Sequence, residues 1–159
     1  KDNNKRWKEI VEVKNTCPFF INRSGGGGRS REYILSDRGP RSAVDPLWMP
    51  QLQLHMLCAD TASGLLLSRS ATMGVRVMRV HRDDEYLRLM LGCVKALHKR
   101  AKEGKFPSAG FYSGTANGTT GRDYKRLVEM TVELARKAEV VVDNGGNIHP
   151  IGGDDRLFI

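Results

Sequence analysis

The sequence has no apolar run approaching the roughly 20 residues a membrane-spanning helix requires, and no charged-then-apolar leader opens it. It is read as a soluble, intracellular chain without a membrane partner. Cysteine is scarce: Cys17, Cys58 and Cys93 lie far apart, with no C-x-x-C pair among them. That fits reduced core thiols better than a disulfide framework. His55 and Cys58 could share a helical face, but two ligands make no zinc site. Four consecutive glycines occur at 25–28, yet no Gly-Lys-Ser/Thr follows them, so a Walker phosphate loop is excluded. No internal repeat is present.

Acidic residues are also short, 18 against 26 Lys and Arg, leaving a net charge of +8 over 159 residues. Such an excess favours a polyanionic partner, nucleic acid first and anionic membrane second. The length suits one domain able to bury a real core. The chain opens on Lys1 and stops on "RLFI", the pattern of an excised fragment.

Along the chain, "KDNNKRW" reads as a turn leading into an extended run. Residues 7–14 alternate, so on a strand Ile10, Glu12 and Lys14 share one side while Val11 and Val13 share the other. A carboxylate and an ammonium thus sit as neighbours in an apolar strand. They form either an ion pair on a solvated face or part of a metal site. Residues 22–45, rich in Gly, Ser and Arg, are expected to form a long loop. Its Arg23, Arg29 and Arg31 either engage phosphates or decorate a solvated insertion.

Asp45-Pro46 can start a helix, with Trp48, Leu52, Met56 and Ala59 on its apolar face. Gln51 and Gln53 lie roughly 200° apart around such a helix, so only one can face a site; Gln53 is the weaker candidate by the resemblance given below, the other reading of it being a surface amide. "GLLLSRSATMGVRVMRVHR" reads as two strands joined near Met73-Gly74. Arg69, Arg76, Arg79 and Arg82 lie along or just after them, lining a DNA track or an ordinary charged sheet face. A helix capped by Asp83 or Asp84 follows, with Leu87, Met90, Leu91, Val94, Leu97 and Ala101 as its core stripe. Residues 122–138 form another amphipathic helix, "EVVV" a short strand, and the rest a Gly-rich tail.

The succession "VEVKNTCPF", "WMPQLQLHML" and "GVRVMRVHRDDEYLRLML" resembles the lambda-exonuclease and YqaJ-type viral recombinase nucleases, over roughly residues 7–100. The resemblance implies an α/β, restriction-endonuclease-like fold of the PD-(D/E)xK kind. A mixed central sheet flanked by helices would occupy a core fragment at residues 1–104, and residues 105–159 would form a helical C-terminal extension. It further implies a metal-dependent DNA exonuclease, using Mg²⁺ with Mn²⁺ as the alternative, that hydrolyses phosphodiester bonds from duplex ends. Glu12 and the Val13 carbonyl would bind the metal, Lys14 would orient water and offset charge on the phosphate, and Gln51 would look over the site. Family members pair the glutamate with an upstream aspartate, expected here before Lys1 rather than at Asp2. Three scattered cysteines do not match the four-cysteine iron–sulfur relatives. Arg23, Arg29, Arg31 and Arg69 are the expected DNA contacts, and a homo-oligomer or a single-strand annealing protein the expected company. The alternative is a catalytically lapsed nucleic-acid-binding or scaffold domain of the same fold.

Overall fold

The computed structural model describes residues 8–22, 32–106 and 119–144, and among these it has six strands and three α-helices. The strands are β1 (Ile10–Asn15), β2 (Phe19–Asn22), β3 (Glu32–Leu35), β4 (Ser63–Arg69), β5 (Val75–His81) and β6 (Glu139–Asp143). The helices are α1 (Met49–Ala59), α2 (Asp84–Lys102) and α3 (Thr119–Arg136). A four-stranded mixed sheet has the order β1-β4-β5-β6, and β2 and β3 pair separately. This is the α/β architecture expected.

The chain divides into two compact units that interleave in sequence. The first takes residues 1–10, 43–64 and 80–138, and the second takes 11–42, 65–79 and 139–159. Helix α3 falls in the first unit with α1 and α2, and β6 falls in the second with most of the sheet.

In the first unit, Asp45 starts the helical run by accepting the Leu47 N–H at 3.0 Å, and a single 3-10 turn at Pro46–Trp48 leads into α1. Met49, Leu52 and Met56 of α1 are fully buried, whereas Ala59 is exposed and Trp48 only half-buried. Left-handed Asp60 ends the helix, its N–H donating to the Leu57 and Met56 carbonyls. Asp83 caps α2 by accepting the Tyr86 N–H at 2.8 Å, and Asp84 and Glu85 complement the positive end of the helix. Its buried residues are Tyr86, Leu87 and Leu89, so the burial is confined to the first turns; Val94 is 55% exposed and Ala101 is exposed, against the longer stripe expected. On α3, Met130 and Ala135 are buried, and the Thr131 hydroxyl donates to the Leu127 carbonyl at 2.7 Å. With that proton committed, the Tyr86 hydroxyl is the donor in its 3.1 Å bond to Thr131. Burial pushes the Tyr86 phenol upward.

In the second unit, β2 and β3 pair antiparallel in the register Phe19↔Leu35 to Asn22↔Glu32. The expected loop at 22–45 is therefore interrupted by a strand. "EYIL" carries the aromatic and β-branched residues a strand favours, a signal submerged by its Gly- and Arg-rich flanks. β5 and β6 pair antiparallel from Arg76↔Asp143 to Arg79↔Glu139, with an irregularity at Val77/Met78. Leu66 and Met78 are its buried apolar side chains, and Ser68 is buried while accepting the Arg41 N–H at 2.9 Å.

The direction of β1 beside β4 follows from contacts at both ends. Glu9 accepts the Ser63 hydroxyl at 2.5 Å, and the Thr16 N–H donates to the Arg69 carbonyl at 2.7 Å, so the two strands run parallel. Such a connection needs a long crossover, which holds α1. A methyl group on Gly64 would lie 2.7 Å from the Cδ1 and Cγ1 of Ile10, so only glycine lets β4 meet that side chain undisturbed.

Candidate functional site

β1 alternates as its sequence requires, but the burial is the reverse of its polarity. Val11 and Val13 are 58% and 52% exposed. The side chains of Glu12 and Lys14 are only 15% and 24% exposed, and their charged groups meet at 2.8 Å. A solvated ion pair at a strand surface would leave both side chains open to water and contribute little. This pair is instead recessed, in a setting where charge is screened less and a third charged group would be felt more strongly.

Glu12, Val13 and Lys14 belong to one compact unit and Gln51 to the other. Gln51 is exposed on α1. Gln53, a weaker site candidate or a surface amide by sequence, is instead completely buried. Its amide nitrogen donates to the His81 carbonyl at 2.8 Å, and its carbonyl oxygen accepts the Asp83 N–H at 2.9 Å. Both ends of the amide are satisfied by backbone at the junction of β5 and α2, so Gln53 is a structural clamp with no capacity left over for substrate.

The expected DNA-contacting arginines divide. Arg23, Arg29 and Arg31 lie outside the described residues. Arg76 is paired with Asp143 at 2.6 Å, and Arg82 with Asp84 at 3.1 Å and Asp60 at 3.4 Å, while also donating to the Thr61 carbonyl at 3.2 Å. Arg76 is thus tied to its own sheet and Arg82 to neighbouring turns. Arg69 is exposed and lines a cleft of about 240 Å³ with Asn15, Thr16, Ser70 and Ala71. Sequence reasoning passed over Asn15 and Thr16; the signal available was two small polar residues directly after E-x-K.

The cysteines form no disulfide among the described residues, but Cys17 and Cys58 are exposed and Cys93 is half-buried, so the core-thiol expectation fails for the first two. Cys58 lies on the open side of α1, and Cys17 follows β1 outside any strand. Burial, then the nearby Asp123 carboxylate, push the Cys93 thiol upward, which disfavours a reactive thiolate.

A hard cation is suited in kind by a carboxylate and a backbone carbonyl, the donors Glu12 and Val13 offer. In number the described residues fall short: among them no cluster of three His, Cys, Asp or Glu could hold a metal. Glu12 is moreover in contact with the Lys14 ammonium. A cation here would take its remaining ligands from water and from a bound phosphate, as magnesium commonly does.

No protein-family description, curated protein or solved structure matches this chain. Among the described residues no helix is long and apolar enough to cross a membrane.

Proposed function

We propose that this chain is a magnesium-dependent DNA exonuclease domain of the recombinase type, hydrolysing phosphodiester bonds from duplex ends with Glu12 and Lys14 at its centre. The observation that carries the reading is the recessed Glu12–Lys14 pair at 2.8 Å on a strand whose valines face outward. A chain that exposes two valines to seat two charges is using the charges for something other than solubility. The net charge of +8 supplies general attraction for a polyanion.

In this reading Glu12 and the Val13 carbonyl hold Mg²⁺, or Mn²⁺ in its place. The ion, when bound, lowers the pKa of a water and polarises the phosphate. Lys14, paired with Glu12 at 2.8 Å, brings its positive charge to bear on charge growing on the phosphate oxygens. Within a restriction-endonuclease-like fold, α1 between the parallel strands β1 and β4 fits the crossover expected of that architecture.

The test is digestion of a linear duplex by the chain in magnesium and in EDTA, with Glu12→Gln beside it. Shortening that needs magnesium and is lost in the variant supports the proposal; equal digestion by the variant removes Glu12 from the mechanism. A second reading, a domain that binds nucleic acid without cutting it, is favoured by the lack of a three-ligand cluster among the described residues. It predicts no digestion, with duplex affinity that falls steeply as salt rises.

A further inference from the structure

The cleft at the end of β1 and β4 is lined by donors and by no carboxylate: Asn15, Thr16, Arg69, Ser70 and Ala71. Among the described residues the Arg69 guanidinium makes no ion pair and the Ala71 N–H has no hydrogen-bond acceptor. Among the described residues the Thr16 hydroxyl is buried without a hydrogen-bond partner. That arrangement is unusual, because buried hydroxyls are almost always hydrogen-bonded and an orphan costs free energy. Rotation about one side-chain bond redirects a threonine hydroxyl. The neighbouring groups that could compete are committed elsewhere. Ser70 accepts the Met73 N–H at 2.8 Å, and the Asp37 carboxylate holds the Thr72 N–H at 2.7 Å and the Gly39 N–H at 2.9 Å.

We infer that this cleft is an oxyanion subsite that grips one phosphate of a single nucleic-acid strand through Arg69, the Ala71 N–H and the Thr16 hydroxyl, without a divalent metal. A guanidinium beside a backbone N–H in a tight turn is suited to a phosphate oxygen. The volume of about 240 Å³ admits a phosphate with part of its sugar and no folded partner. Thr16 continues the recessed face of Glu12 and Lys14 and lies about 7 Å along the strand from Lys14. One bound strand could therefore touch both. The choice of nucleic acid as the carrier of the phosphate rests on the preceding proposal; the cleft's preference for an oxyanion does not, since it uses neither Glu12 nor a metal.

The test is a titration of the whole ¹⁵N-labelled chain in EDTA, followed by amide chemical shifts, with a six-nucleotide thymidine oligomer in one arm and inorganic phosphate in the other. EDTA silences metal-dependent cleavage, so failure of the nuclease reading and failure of this one are distinguishable. The expected result is that both ligands move the amides of Thr16, Arg69, Ser70 and Ala71, the oligomer at lower concentration. Arg69→Gln weakens the oligomer about tenfold or more, in line with loss of a charged hydrogen bond. Thr16→Val, which removes only the hydroxyl, weakens it severalfold while leaving the melting temperature unchanged or higher. Oligomer-induced shifts confined to other residues, or wild-type affinity in both variants, would overturn the subsite. Phosphate binding as tightly as the oligomer would overturn the strand as its ligand.

Discussion

Two polar groups set into this molecule behave in opposite ways. Gln53 is completely buried, and both ends of its amide are occupied by the backbone at His81 and Asp83. The polar face of β1 is recessed and less complete: Glu12 and Lys14 are paired, and among the described residues the Thr16 hydroxyl has no hydrogen-bond partner. The first pattern fixes a strand to a helix cap and has nothing left to offer a ligand. The second leaves a buried hydroxyl unsatisfied at a cost in stability, which is how binding sites differ from packing. Residues of similar polarity thus divide into scaffold and site by whether their hydrogen bonds are already complete.

The comparison can be broken most severely at Glu12. Glu12→Gln preserves size and removes the charge, and digestion of linear duplex is expected to fall by about 10²–10³-fold, the range for losing one electrostatic contact to a reacting centre. Its melting temperature should change little, and a large drop would place Glu12 with the scaffold instead. Gln53→Ala is the mirror experiment. It strands the His81 carbonyl and the Asp83 N–H in the interior, and unfolding by denaturant should show a loss of about 2–5 kcal/mol. Gly64→Ala sets a methyl 2.7 Å from Ile10, and a net loss of about 1 kcal/mol is expected after the strand's preference for alanine over glycine is counted.

The smallest effect concerns Asp37. Burial pushes its carboxyl upward, but the Thr72 and Gly39 N–H groups and the Thr72 and Ser70 hydroxyls outweigh it, holding the carboxyl below its ordinary value. A depressed carboxylate stabilises the fold above its ordinary pKa of 3.8 and loses that contribution as pH falls through the lower folded value. Wild type should therefore lose stability below pH 4 more steeply than Asp37→Asn, measured by thermal melts across acid pH. Because the group is near the surface, a modest difference is expected.

Much of the framework was legible before any coordinates. The alternation through Lys14 placed Glu12 and Lys14 on one side of a strand, and the Asp45-Pro46 and Asp83 signals marked two helix starts. What period cannot reveal is which face turns inward. Val11 and Val13 are the more apolar side of β1, yet they are the exposed one. On α1 the spacing rule separated Gln51 from Gln53, but the inward choice depended on backbone groups at His81 and Asp83, 28 and 30 residues further on. Arg76 and Arg82 looked like Arg69 in sequence; their acidic partners at Asp143, Asp60 and Asp84 are supplied by folding. The Thr16 hydroxyl shows as an orphan only when its surroundings are known.

The most direct measurement is digestion of an end-labelled linear duplex by the chain in magnesium, wild type against Lys14→Ala. The account predicts progressive shortening by wild type, none in EDTA, and at least a hundredfold slower digestion by the variant. Undiminished digestion by Lys14→Ala, or an intact duplex with wild type, would contradict it.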